Sequence, residues 1–280
     1  VSTDCFQEGI HFLRQSPATL IAQKVLRANA SDILASGGRP RWFTLSLSMP
    51  RNLELRWLQQ FANGLKVAMD DTGIKLIGGD TTAATDHISI GITVLGQVGQ
   101  GRKVGRNGAR LGDWLGVTGC LGDSSVGLDV ILGKHELEPL EKYFWLERHF
   151  CPPFHTHFAQ GVATQGLVTA MMDLSDGLLI DLPRLCNASG VGALIELNRI
   201  PVSFEARSMG YGVENALRGG EDFQLLFSAN SAHWQDLVEL AEWANTDISH
   251  VGTIISGNEL VWQKDGARIN MDLASWKHFA

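Results

Sequence analysis

Over residues 17–38 the apolar side chains Leu20, Ile21, Val25, Leu26 and Ile33 recur at helical spacing, and Gly37-Gly38 supply a stop. This predicts a helix with Asp32 near its end. The period then shortens. Over 41–49, Phe43, Leu45, Leu47 and Met49 alternate with Trp42, Thr44, Ser46 and Ser48, the pattern of a half-buried strand closed by Pro50. Helical spacing returns with Leu55, Leu58, Phe61, Leu65 and Met69, so 52–73 reads as a second helix with Asn52 as its N-cap. Residues 74–77 read as a short strand running into Gly78-Gly79-Asp80-Thr81-Thr82. The stretch 87–98 alternates Ile88, Ile90, Ile92 and Val94 more strictly than any other segment.

The stretch 99–112, rich in glycine and in basic residues, is the clearest change of composition and marks a domain boundary. On that reading an N-terminal α+β domain occupies 1–102 and a C-terminal α/β domain occupies 103–280. In the second part a strand over 114–118 enters a Gly119/Gly122 turn and a helix over 124–133. Helices are predicted near 157–172, 177–188 and 232–245, and strands near 191–198, 222–228, 250–256 and 259–264. A chain of 280 residues, 44% hydrophobic, can fill two such cores.

Charge and cysteine usage narrow the function classes. There are 30 acidic and 23 basic residues, for a net charge of -7, with no Lys/Arg run that could track a nucleic acid. Cys5, Cys120, Cys151 and Cys186 form no C-x-x-C pair, so neither a zinc site nor a disulfide framework is indicated. No apolar stretch reaches the length of a membrane span and no signal segment opens the chain. A soluble, cytoplasmic protein without nucleic-acid or membrane partners is expected.

The aspartates fall at element ends beside Gly, Ser or Thr: Thr3-Asp4, Ser31-Asp32, Gly79-Asp80, Gly112-Asp113, Gly122-Asp123 and Asp173-Leu174-Ser175-Asp176-Gly177. Short carboxylates on loops suit Mg²⁺, which takes a few of them together with waters and phosphate oxygens. Each could equally cap a helix or make a turn. Asp173 and Asp176, with Ser175 between them and an apolar helix following, form the most specific group. Gly78-Gly79 and Gly219-Gly220 allow close backbone approach to phosphate, or simply tight turns. The G-x-x-x-x-G-K-[ST] string of a P-loop is absent, so any nucleotide is held differently. Arg106, in the basic linker, is placed for a phosphate contact or for solvent. His155-x-His157 has no third ligand nearby and reads as structural.

Taken in order, the strings STDCFQEGIHF (2–12), SDILASGGRP (31–40), GGDTT (78–82), RNGARLGDWLGVTGCLG (106–122), MDLSDGLLIDL (172–182), GGEDFQLLF (219–227) and WKHF (276–279) resemble the thiamine-monophosphate kinase family. That family lies in the superfamily of aminoimidazole ribonucleotide synthetase. The resemblance implies a two-domain architecture, with an N-terminal mixed sheet with helices and a C-terminal α/β domain. It implies ATP-dependent phosphorylation of thiamine monophosphate to thiamine diphosphate, assisted by several Mg²⁺ ions. Ser2, Thr3, Asp4, Asp32, Asp80, Asp173 and Asp176 would ligate metal; Gly79, Asp80, Arg106 and Ser175 would meet ATP. His11, Glu221 and Trp276 would meet the substrate, and the protein would be a homodimer whose first domains pack their strands together.

Relatives carry several dozen residues before the STD strand, including a Gly-Asp-Asp segment that supplies another metal-binding aspartate. The 280 residues open at Val1 without it, so either the chain is a trimmed form or one metal site is incomplete. Another ATP-using synthetase of the superfamily, or a non-catalytic binder of nucleotide and thiamine phosphate, is the competing reading.

Overall fold

The computed structural model describes residues 1–270. Four strands and two helices precede the linker: β1 (Ser2–Gln7), α1 (Ala18–Ala35), β2 (Arg39–Pro50), α2 (Leu55–Thr72), β3 (Lys75–Ala84) and β4 (Ser89–Gln97). The strands form one sheet in the order β1-β4-β2-β3, parallel between β2 and β3 and antiparallel elsewhere. α1 and α2 cover one face, where Phe43, Ile90, Ile92 and Val94 meet Ile21, Val25, Leu26 and Phe61 in a continuous buried core. Strict alternation in 87–98 is the sequence trace of that one-sided burial.

After the linker come β5 (Trp114–Thr118), α3 (Asp123–Ile131), α4 (Pro139–Phe150), α5 (Thr156–Gln165), β6 (Ala170–Leu174), α6 (Leu178–Ser189), β7 (Gly192–Glu196), α7 (Phe204–Ser208), α8 (Val213–Arg218), β8 (Gln224–Ala229), α9 (Trp234–Trp243), β9 (Ile248–Ile255), β10 (Leu260–Lys264) and β11 (Ala267–Ile269). Seven strands make a second sheet, ordered β11-β10-β7-β9-β5-β8-β6. Leu178, Leu182 and Leu185 of α6 and Leu217 of α8 pack on one face. Phe158 and Val162 of α5 and Leu237 of α9 pack on the other.

Two helices join the halves. The end of α1, through Leu34 and Ala35, is buried among the α5 and α9 side chains, while Phe150 of α4 belongs to the first core. No described helix is long and apolar enough to cross a membrane.

Some expected boundaries move. The helix expected over 157–172 ends at Gln165, because Gly166 takes the left-handed conformation (φ 70°) and β6 follows. α4 was not anticipated, although Pro139 at its first turn and the Glu138/Glu141 capping box are start signals. α2 begins at Leu55 behind Glu54, so Asn52 does not cap it. β3 does not stop at Gly78 but runs on through the glycines. A Cβ at Gly79 would lie 2.0 Å from the Leu45 carbonyl oxygen, so this close strand pairing needs glycine.

Candidate active site between the two sheets

In β1 the side chains alternate between the helix-covered face and the bare face. Ser2 lies opposite Val94 and Asp4 opposite Ile92, both buried against the helices, so Ser2 and Asp4 turn inward toward α1. The last turns of α1 meet them. Ser2 Oγ donates to Asp32 Oδ2 at 2.5 Å, and Asn29 Nδ2 donates to Asp4 Oδ2 at 2.9 Å and to the Ile92 carbonyl at 3.1 Å. From the second sheet β6 brings Asp173, buried, with the Ser31 hydroxyl as a hydrogen-bond partner. Three carboxylates from β1, α1 and β6 thus converge.

Their electrostatics record the crowding. Burial, then the charge of Asp32, pushes the Asp173 carboxyl up to about 7. Burial of its inward-turned carboxyl, then Asp32, raises Asp4, and the Asn29 hydrogen bond only partly offsets this. These are the signs of a site short of positive charge. Asp32 and Asp173 border a cavity of about 620 Å³ whose lining also includes Ser2, Lys103, Arg106 and Asn107. Arg106 is therefore in the cavity wall.

The other expected ligands lie elsewhere in this chain. Thr3 projects on the bare face, with Oγ1 against Thr93 Oγ1 at 2.9 Å. Asp80 is on β3, at the opposite edge of the sheet, and its row runs Asp80, Ser46, Gly91, Cys5. Three strand spacings of about 4.8 Å put it roughly 14 Å from β1. Asp176 makes an ion pair with Arg184 at 2.6 Å; Arg184 also binds the buried Asp181 at 2.7 Å. Asp181 accepts the Asp176 N–H at 2.9 Å, and its burial pushes its carboxyl up to about 6. Among the described residues no three His, Cys, Asp or Glu side chains are already arranged as a metal cage.

Ser175 links this loop to a second group of side chains. Its carbonyl accepts the Glu221 N–H at 2.7 Å, and Gly177, at φ 96°, lets the loops touch, since a Cβ there would be 2.7 Å from the Gly219 carbonyl. Glu221 itself holds φ 65°, costly for a non-glycine residue. Its Oε2 receives Lys24 Nζ at 2.9 Å, with His149 Nε2 3.6 Å away. Lys24 Nζ also reaches His149 Nε2 at 2.8 Å and the His11 carbonyl at 3.3 Å. Burial alone would raise the Glu221 carboxyl, but Lys24, through its charge and its hydrogen bond, holds it below its ordinary value. Burial, then Lys24, pushes His149 down to about 4. His11 and Glu221 are thus neighbours, while Trp276 lies outside the described residues. His155 is engaged by Gln224 and Thr246, a structural role.

Sequence reading overlooked Lys24, Asn29, His149, Asp181 and Asp222. Lys24 carried a signal as a charge set within the stripe of Leu20, Ile21 and Val25, and Asp181 and Asp222 lay inside the strings 172–182 and 219–227. Asp222 accepts the Gly122 and Ser124 N–H groups at 2.6 and 3.0 Å and so caps α3 from a distant loop.

Comparison with known proteins gives the family and the fold. Residues 1–98 match the family described as AIR synthase related protein, N-terminal domain, and residues 112–264 match its C-terminal domain. The thiamine-monophosphate kinase of Aquifex aeolicus is 34% identical over 285 residues, covering 100% of this chain and 87% of that protein. That of Escherichia coli K12 is also 34% identical, covering 100% and 86%. The crystal structure of the Aquifex aeolicus enzyme superposes with a TM-score of 0.84 at 32% identity, covering 96% of this chain and 88% of that one. A solved structure named AaThiL complexed with AMPPCP and TMP gives 0.86 at 33%, covering 99% and 86%.

Proposed function

The chain belongs to the thiamine-monophosphate kinases of the AIR synthase related family, and we propose that it carries out their reaction in the acidic cavity between its two sheets. That reaction is ATP-dependent phosphorylation of thiamine monophosphate to thiamine diphosphate. The observation that carries the placement is the convergence of Asp4, Asp32 and Asp173 from three separate elements, with Asp32 and Asp173 lining a cavity that also holds Arg106.

The nucleophile is a phosphate oxygen, already anionic, so no general base has to remove a proton. Charge repulsion is the obstacle. At an effective dielectric near 20, two unit charges about 4 Å apart repel by roughly 4 kcal/mol, and about 1.4 kcal/mol is a factor of ten in rate. Bound Mg²⁺ would supply the neutralising charge for the meeting phosphates. The residues fit such ions. Burial and the charge of Asp32 raise the carboxyls of Asp4 and Asp173, which a bound cation would offset, and among the described residues Asn29 Oδ1, beside Asp4, is buried without a hydrogen-bond partner. Mg²⁺ takes only one or two carboxylates from a protein with phosphate and water completing its shell, so the absence of a closed cage is in keeping. Arg106 and Lys103 line the same cavity and would orient the triphosphate. Glu221 would accept from the substrate's aminopyrimidine and attract its cationic thiazolium.

The distance of Asp80 from the cluster favours a homodimer. Both edges of the first sheet, β1 and β3, are open. A second copy that lays its β3 edge along β1 would bring its own Gly79 and Asp80 beside Ser2 and Asp4. Complementation tests this. Asp80→Asn and Asp173→Asn proteins, each inactive, should recover about a quarter of wild-type thiamine diphosphate formation after mixed refolding, the fraction expected when one of two shared sites is intact in half the dimers. No recovery, with dimers present, would refute a shared site, and full activity of Asp173→Asn alone would remove the cavity as the place of transfer.

A further inference from the structure

Lys24 stands in the middle of α1, among apolar side chains, with only 1% of its surface exposed. An ammonium there is costly unless each of its three N–H donors is met. They are: Glu221 Oε2 at 2.9 Å, His149 Nε2 at 2.8 Å and the His11 carbonyl at 3.3 Å. No donor remains for a substrate.

The partners' states follow from this. Since Nε2 of His149 accepts from Lys24, its proton resides on Nδ1, where it donates to the Ser124 carbonyl at 3.1 Å. His149 is therefore neutral and the ion pair is between Lys24 and Glu221 alone. Among the described residues both ion-pair contacts to the Glu221 carboxylate fall on Oε2 and none on Oε1, and the side chain as a whole is 31% exposed. The backbone at Glu221 is tied to the Ser175 carbonyl, so the side chain is steered from within by Lys24.

We propose that Lys24 is a positioning residue for substrate recognition: from the first sheet's helix it fixes the aim and the negative charge of Glu221, so that Oε1 is presented to the aminopyrimidine and thiazolium of the phosphate acceptor. This rests on the reading of Glu221 as a substrate contact. The groups that face the Glu221 carboxylate are Lys24 on α1, His149 on α4, His11 after β1 and its own neighbour Asp222. Of these Lys24 makes the shortest contact, at 2.9 Å. Without it, burial would favour the protonated carboxyl.

The test measures KM for thiamine monophosphate and for ATP between pH 6 and 8.5 in the wild type, Lys24→Met, Glu221→Gln and the double variant. Lys24→Met should raise KM for thiamine monophosphate about tenfold or more and leave KM for ATP within about twofold, the size expected for loss of a charge-assisted contact. Its affinity for thiamine monophosphate should improve as pH rises and Glu221 ionises, whereas the wild type stays flat. Adding Lys24→Met to Glu221→Gln should cost little more, because both act through one carboxylate. Lys24→Gln, which keeps donors in the pocket, replaces the methionine variant if that does not fold. Equal effects on both substrates, a flat pH profile, or full additivity with Glu221→Gln would overturn the proposal. A Glu221→Gln protein with wild-type KM for thiamine monophosphate would instead overturn the reading on which it rests.

Discussion

Asp32 is the point at which the acidic cluster can be probed most directly. Its charge raises both Asp4 and Asp173, while its Oδ2 takes the Ser2 hydroxyl at 2.5 Å. Asp32→Asn keeps an acceptor for Ser2 and removes the charge. A pair of charges about 5 Å apart repels by roughly 3 kcal/mol at an effective dielectric of 20. Partial exposure of Asp32 and Asp4 and partial protonation of Asp173 reduce the net relief to about 1–2 kcal/mol. At about 2–4 °C per kcal/mol for a chain of this size, Tm of the protein in EDTA at pH 8 should rise by about 2–8 °C. High salt should shrink the rise. Activity should fall at least about a hundredfold, and the stabilisation of the wild type by Mg-ATP should be largely lost. Scanning calorimetry with and without Mg-ATP, alongside an ADP-release assay, reads all of these. A variant that melts lower than the wild type in EDTA would show that the carboxylates do not repel one another, and the reasoning would fail.

Other expectations follow from single contacts. Arg106→Ala should raise KM for ATP about tenfold with a smaller effect on thiamine monophosphate; equal effects would take Arg106 out of the nucleotide wall. Gly177→Ala combines a positive φ with a Cβ 2.7 Å from the Gly219 carbonyl, and urea titration should show a loss of about 1–3 kcal/mol or more. Burial pushes Asp222 up to about 7 in the fold, against the two N–H bonds from Gly122 and Ser124. Between about pH 4 and 7 the folded state then holds a proton that the unfolded state has released, so this group's contribution falls as pH rises through that window. Asp222→Asn should lessen that slope, and an unaltered profile of stability against pH would contradict it. For His149, lowered to about 4 by burial and Lys24, stability should be lost as pH falls from about 6.5 toward 4. His149→Gln should flatten the acid side of the curve.

Elements that are local in origin could be read from the chain itself. The period of Phe43, Leu45 and Leu47, and that of Ile88, Ile90 and Ile92, follows from side-chain direction within one strand, and β2 and β4 lie where those periods put them. The helical stripe through Leu20, Ile21 and Val25 placed α1, with Asp32 in its last turn. The ordered motifs also carried the family and its reaction.

What the chain alone did not contain was which of these groups meet. Asp4 and Asp80 look alike as loop or strand-end aspartates, yet three strand spacings separate their strands, since strand order is decided by packing and not by succession along the chain. Asp173 and Asp176 are three residues apart, but one faces Asp32 and the other Arg184. Lys24 and Glu221 are 197 residues apart, and their ion pair exists only because α1 lies against both sheets. Hydrophobic periodicity specifies which face of an element is buried. It does not specify what that face will meet, and the charge states of Asp173, Glu221 and His149 are set by what they meet.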